Sequence, residues 1–105
     1  MTVKENLMLV AMEEATEIGQ ELSKTMRFGA NNFHPDNPEE TNGFKLLKEF
    51  YQLGAMIEYL QGINELPVLS EEEIKKIKEE KIIKVFKYME VSKDLGFLDN
   101  KEVIK

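Results

Sequence analysis

Apolar side chains recur every three or four positions early in the chain. Met8, Ala11, Ala15, Ile18, Leu22 and Met26 form one stripe, at the spacing of residues that share a helical face. The stripe predicts a helix from about Lys4 to Phe28, buried along that face and stopped by Gly29. "GANNFHPDNPEETNG" then reads as a polar loop of turn formers, including Pro35 and Pro38. A second helix is expected from about Gly43 or Phe44 to Gln61, ending at Gly62. It is apolar around most of its circumference, through Phe44, Leu46, Leu47, Phe50, Tyr51, Leu53, Ala55, Met56, Ile57 and Leu60. Helices of that kind are surrounded by others. A chain of 105 residues offers few, so a homo-oligomer, dimer or tetramer, is expected to complete the core.

After "GINELPVL", Ser70 and Glu73 have the spacing of a capping box, and three acids occupy the next turn. The helix they start is expected to run to about Val91, with Ile74, Ile77, Ile82, Val85, Phe86 and Met89 on its buried side and "KKIKEEK" in solvent. The tail "SKDLGFLDNKEVIK" has room for one more short helical turn after Ser92. No segment alternates as a strand does, and there is no internal repeat. The expected fold is all-α, a single helical domain completed by a partner chain.

Composition narrows the chemistry. There is no cysteine and a single histidine, His34, which rules out disulfides and Cys- or His-rich metal sites. The formal net charge of −6 argues against a nucleic-acid partner bound by charge attraction. A triphosphate would be repelled too, unless a metal ion or a local basic patch received it. No run reaches the roughly 18 apolar residues of a membrane span, and acids interrupt the N-terminal "MTVKENLMLVAMEEA" too soon for a signal peptide. A cytoplasmic protein without a membrane partner is the simplest expectation.

The acids carry the functional question. Glu14 and Glu17 stand three residues apart, about 60° around a helix, on the flank of the apolar stripe. Glu-x-x-Glu alone is a weak signal, because solvated helices are full of such pairs. The second helix adds weight. Leu46, Glu49, Leu53, Met56 and Leu60 fall on one line, so Glu49 interrupts an apolar seam. A buried, unpaired carboxylate is costly or takes up a proton. A lysine or arginine could compensate it; so could a divalent cation shared with Glu14 and Glu17, and oxygen ligands favour Mg²⁺ or Mn²⁺. Glu58, half a turn from Glu49, reads as structural or interfacial. Lys24 and Arg27 suit a helix C-terminus and equally a phosphate clamp. Phe28 has a core role or a base-stacking role, and His34 reads as a plain loop residue.

"EEATEIGQELSKTMRFG" followed by "LLKEFYQLGAMIEYL" resembles the MazG-like, all-α nucleoside triphosphate pyrophosphohydrolases, above all their short, single-domain phage and bacterial forms. The resemblance covers about Leu7 to Leu60. That family pairs Glu-x-x-Glu on one helix with Glu-x-x-Asp on the next, and its short forms often end the first helix in Lys-x-x-Arg-Phe-Gly. The resemblance implies that Glu14, Glu17 and Glu49 hold Mg²⁺ and serve catalysis, with Glu17 orienting or deprotonating water. It implies that Lys24 and Arg27 meet the phosphates, that nucleoside triphosphates are cleaved to monophosphate and pyrophosphate, and that the chain forms dimers or tetramers. The fourth ligand position falls on Gln52, where the usual pattern has Asp. A glutamine carbonyl can ligate Mg²⁺ or orient its water but brings no negative charge. A catalytically silent nucleotide-binding or oligomerisation module is therefore the alternative.

Overall fold

A computed structural model describes residues 1–99 of the chain. Among them are three α-helices and no strand: α1 (Val3–Phe28), α2 (Asn42–Gly62) and α3 (Glu71–Asp94). One isolated antiparallel bridge joins Phe33 to Thr41. The fold is all-α, as the periodicity predicts.

Each helix starts on a hydroxyl cap. The Thr2, Thr41 and Ser70 side chains accept from the backbone N–H of Glu5, Phe44 and Glu73, each at 3.1 Å. Such caps stabilise a helix by about 1 kcal/mol each. At Ser70 the capping box is complete, since the Glu73 carboxylate also accepts from the Ser70 N–H. α1 ends at Gly29, whose φ of 90° suits a residue without Cβ. α3 runs three residues past the expected end at Val91. Nothing in Ser92, Lys93 or Asp94 breaks a helix, and the chain turns only at Gly96, φ 81°. Residues 95–98 form turns and bends in place of a further helical turn; any turn in residues 100–105 lies outside the described residues.

The chain forms two compact units, the first from Met1 to Pro67 and the second from Val68 onwards. In the first, α1 and α2 pack against each other as a hairpin. Its only fully buried side chains are Leu60, 2% exposed, and Asn42, 5% exposed. The α2 seam lies where the sequence places it: Leu46, Glu49, Leu53 and Met56 are half-buried and Leu60 is buried. The α1 stripe is only partly covered. Met8, Ala11 and Ile18 are half-buried, but Ala15 is exposed, Leu22 is 51% exposed and Met26 90%. The half-buried line continues instead through Glu14, Glu21 and Thr25. A single neighbouring helix covers a narrow strip, and here that strip carries the acids, so the apolar flank is left uncovered. On α2, Phe44, Leu47, Phe50, Tyr51 and Ile57 are likewise exposed.

The second unit is dominated by α3. Val85, Phe86 and Met89 are half-buried, whereas Ile74, Ile77 and Ile82 are exposed, against the expectation of a continuous buried side. One helix with a short tail has too little chain of its own to cover them.

Candidate metal centre and adjoining cavity

Helix geometry brings the acids together. Glu14 and Glu21 are seven residues apart, nearly two full turns, and so share one face of α1, with Glu17 one turn along on its flank. Glu49 meets them from α2. Carboxylate oxygens of Glu14, Glu17 and Glu49 lie within 4.8 Å of one another. Glu14 and Glu49 are half-buried, and Glu17 is exposed. Among the described residues no lysine or arginine lies within 4.0 Å of Glu49, so the seam acid is not neutralised by an ion pair.

The electrostatics follow from this crowding. Hydrogen-bond contact with Glu49 raises the Glu17 pKa above the ordinary carboxylate value, and the Glu49 charge, partial burial and Glu21 add to it. The Glu49 pKa is also raised, first by hydrogen-bond contact with Glu14, then by burial and the charges of Glu14 and Glu21; contact with Glu17 partly offsets this. Carboxylates this close disfavour one another's ionised form, and a shared proton or a cation would relieve the repulsion.

Gln52, one turn after Glu49, sits against the same oxygens. With its amide nitrogen turned inward it donates to Glu49 Oε2 at 3.0 Å and to Glu14 Oε2 at 3.3 Å. With its amide oxygen turned inward it becomes a fourth oxygen donor to an ion. The donor set of three carboxylate oxygens and an amide oxygen fits a hard divalent cation.

Lys24 and Arg27 are not part of this group. Lys24 Nζ pairs with Glu21 Oε1 at 3.4 Å, and the Arg27 guanidinium stacks over the Phe28 ring at 4.9 Å from its centroid. Both line a cavity of about 440 Å³ at the loop end of the hairpin, with Phe28, Asn32, Phe33, His34, Asn42 and Lys45 among its other walls. Glu58 stays exposed and outside the acid group.

Two residues near the acids and one in the loop go beyond the sequence reading. Glu21 is 14% exposed, and its Oε2 is buried without a hydrogen-bond partner; its seven-residue offset from Glu14 was the signal for it. Lys45 lies four residues before Glu49 on the same face of α2, a spacing readable once Glu49 is chosen. His34 turns out to be a cavity wall. Its Nδ1 accepts from the Asp36 backbone N–H at 3.1 Å and lies 3.6 Å from the Asp36 carboxylate.

No family model, curated protein or solved structure matches the chain.

Proposed function

We propose that this chain is a Mg²⁺-dependent nucleoside triphosphate pyrophosphohydrolase, active as a cytoplasmic homo-oligomer, with Mn²⁺ as a substitute ion. The convergence of Glu14, Glu17 and Glu49 without a cationic partner is the observation that carries this reading. Glu14 and Glu49, with the Gln52 amide oxygen, would hold the ion. When bound, Mg²⁺ offsets triphosphate charge and lowers the pKa of a coordinated water. Glu17 is the most exposed of the three acids and holds its proton more tightly than an ordinary carboxylate. Its exposure leaves it free to orient the attacking water and take its proton. Water adds at phosphorus, the bond between the α- and β-phosphates breaks, and pyrophosphate leaves. Lys24 and Arg27 offset the charge on the phosphoryl oxygens. The exposed apolar surfaces of α1 and α2 support self-association.

One observation favours a second reading. The Gln52 amide can satisfy Glu14 and Glu49 by hydrogen bonds alone, which suits a silent nucleotide-binding module. Pyrophosphate release from a panel of NTPs and dNTPs, with Mg²⁺, with Mn²⁺ and with EDTA, separates the two. Metal-dependent release with matching monophosphate is expected, and Glu14→Gln should abolish it while leaving helical content intact. A folded, oligomeric sample that releases nothing from any nucleotide would overturn catalysis in favour of the silent module.

A further inference from the structure

We infer that Glu21 is a positioning residue for the cation of the acid centre. Its carboxylate supplies, from outside the ligand oxygens, the fourth negative charge that Gln52 does not bring, and Lys24 sets how much of that charge the ion meets. The inference rests on the reading above for the ion. It adds a residue that belongs to neither the Glu-x-x-Glu nor the Glu-x-x-Asp spacing.

Burial is the first argument. The Glu21 side chain is 14% exposed, and its Oε2 is buried without a hydrogen-bond partner. A carboxylate avoids that condition unless a charge or a donor meets it. One turn further along α1, the Thr25 hydroxyl oxygen is the other such atom among the described residues. Both residues belong to the half-buried line of α1 that also carries Glu14, and α2 is the helix packed against α1. A hydroxyl and a carboxylate oxygen one turn apart suit the water shell of a hard divalent cation, because Mg²⁺ keeps several of its waters.

Position is the second argument. Glu21 follows Glu17 by four residues and Glu14 by seven, about 6 Å and 10 Å along the helix axis. It stays outside the group of oxygens that lie within 4.8 Å of one another, so it is not a ligand beside Glu14, Glu17 and Glu49. Its charge nonetheless reaches Glu17 on α1 and Glu49 on α2. A carboxylate at that range, largely shielded from water, strengthens the hold on a divalent ion without occupying a coordination position.

Lys24 supplies the last argument. Its Nζ lies 3.4 Å from Glu21 Oε1, so in the free chain the lysine offsets part of the Glu21 charge. The pair is uneven, because the Lys24 side chain is 46% exposed while that of Glu21 is largely buried. Lys24 can therefore turn to a phosphate oxygen while Glu21 stays. Glu21 is then a buried carboxylate without its cation, and the ion of the acid centre is what remains to balance it. Ion and phosphate thus reinforce each other's binding through one side chain.

The test is cation binding by the full chain without any nucleotide. Mg²⁺ is followed by calorimetry and Mn²⁺ by electron paramagnetic resonance, with helical content checked by circular dichroism. Glu21→Gln should weaken Mg²⁺ binding about tenfold, the lower end for groups that support a metal's ligands. Adding Gln52→Asp to Glu21→Gln should recover most of the loss. Lys24→Met should act in the opposite sense and tighten Mg²⁺ binding a few-fold, but only while Glu21 is present. A merely structural role for Glu21 predicts neither the rescue from position 52 nor the opposite sign at Lys24. Should Glu21→Gln fail to fold, the sign of the Lys24→Met effect decides. Mg²⁺ affinity unchanged by Glu21→Gln, or tightened equally by Lys24→Met in the wild type and in Glu21→Gln, overturns the inference and leaves the three-carboxylate ion site standing. A wild-type chain that binds neither ion overturns the inference and the metal-dependent reading together. Binding that behaves as expected beside an inactive hydrolysis assay removes only the catalytic reading.

Discussion

The middle of the α1–α2 hairpin and its loop end are built from the same two helices with opposite chemistry. In the middle, carboxylate oxygens of Glu14, Glu17 and Glu49 crowd within 4.8 Å of one another. At the loop end, Lys24, Arg27 and Lys45 surround a cavity with no acid in its walls. The acid group is made almost entirely by helical periodicity and one helix contact. The cavity needs a thirteen-residue connection folded back on α2 by backbone hydrogen bonds. An arrangement set by periodicity survives substitution of its neighbours. One set by a loop depends on each of its clips.

The largest contrast should come from removing one acid. Glu49→Gln keeps shape and removes the charge that α2 contributes. Turnover should fall by more than about a hundredfold, as when a preorganised electrostatic group is lost. Monophosphate binding in the cavity should change far less. Parallel steady-state kinetics and calorimetry check this, and equal losses in both would mean that the two regions are a single site.

Metal and pH should come next. Glu17 and Glu49 have raised pKa values, so each holds its proton more tightly in the folded chain than in the unfolded one. Their contribution to stability is therefore fully present below the ordinary carboxylate value and is lost as pH rises through the raised values. A cation replaces the shared proton, so the stabilisation by Mg²⁺ should grow across that same rise in pH. At a hundred times its Kd the ion should contribute about 2.7 kcal/mol, a rise of several degrees in melting temperature. Thermal melts from pH 4 to 8, with Mg²⁺ and with EDTA, provide the measurement. A pH dependence of melting in EDTA that Glu49→Gln leaves unchanged would contradict the shared proton.

Gln52 gives a smaller and more diagnostic effect. Gln52→Asp adds a fourth negative charge and removes the amide donor to Glu14 and Glu49. Mg²⁺ affinity should rise about tenfold, with metal-free stability falling. Cavity binding in EDTA should stay within twofold, an expectation that follows from the separation of the two regions. Mg²⁺ titrations by calorimetry decide it.

The same contrast governs what the sequence discloses. Glu14, Glu17 and Glu49 are legible because the 3.6-residue repeat turns spacing into direction, and an acid in an apolar seam is conspicuous. Helix ends are legible where Ser70 with Glu73 and Gly29 stand as caps, whereas the Thr2 and Thr41 caps emerge only in the structure. The α1 stripe misleads at Leu22 and Met26, because periodicity shows that a face is apolar and not which neighbour covers it. The cavity is the least legible part. His34 becomes a wall only through the turn that carries its Nδ1 to the Asp36 N–H, and Lys45 acquires meaning only beside Lys24 and Arg27. Such contacts depend on loop geometry, which no short-range pattern encodes.

The smallest expected effect tests the clip itself. Asn42 is buried, and its side chain spans thirteen residues of sequence to donate to Gly29 O. Asn42→Ala removes that bond and leaves the carbonyl of Gly29 without this donor. Gly29 is exposed, so water can take over part of the lost contact, and the cost should sit near the low end for a buried polar group, about 1 kcal/mol. Thr41 still caps α2, so the helix should keep its start. The loop would then sample more positions, and cavity binding should weaken a few-fold through the ordering it must now impose. The Mg²⁺ titration should not move, because Glu14, Glu17, Glu49 and Gln52 gain nothing from the clip. Chemical denaturation gives the stability change, and the two titrations give the contrast. A shift in Mg²⁺ affinity equal to the shift in nucleotide affinity would show that the loop positions the acids as well as the cations.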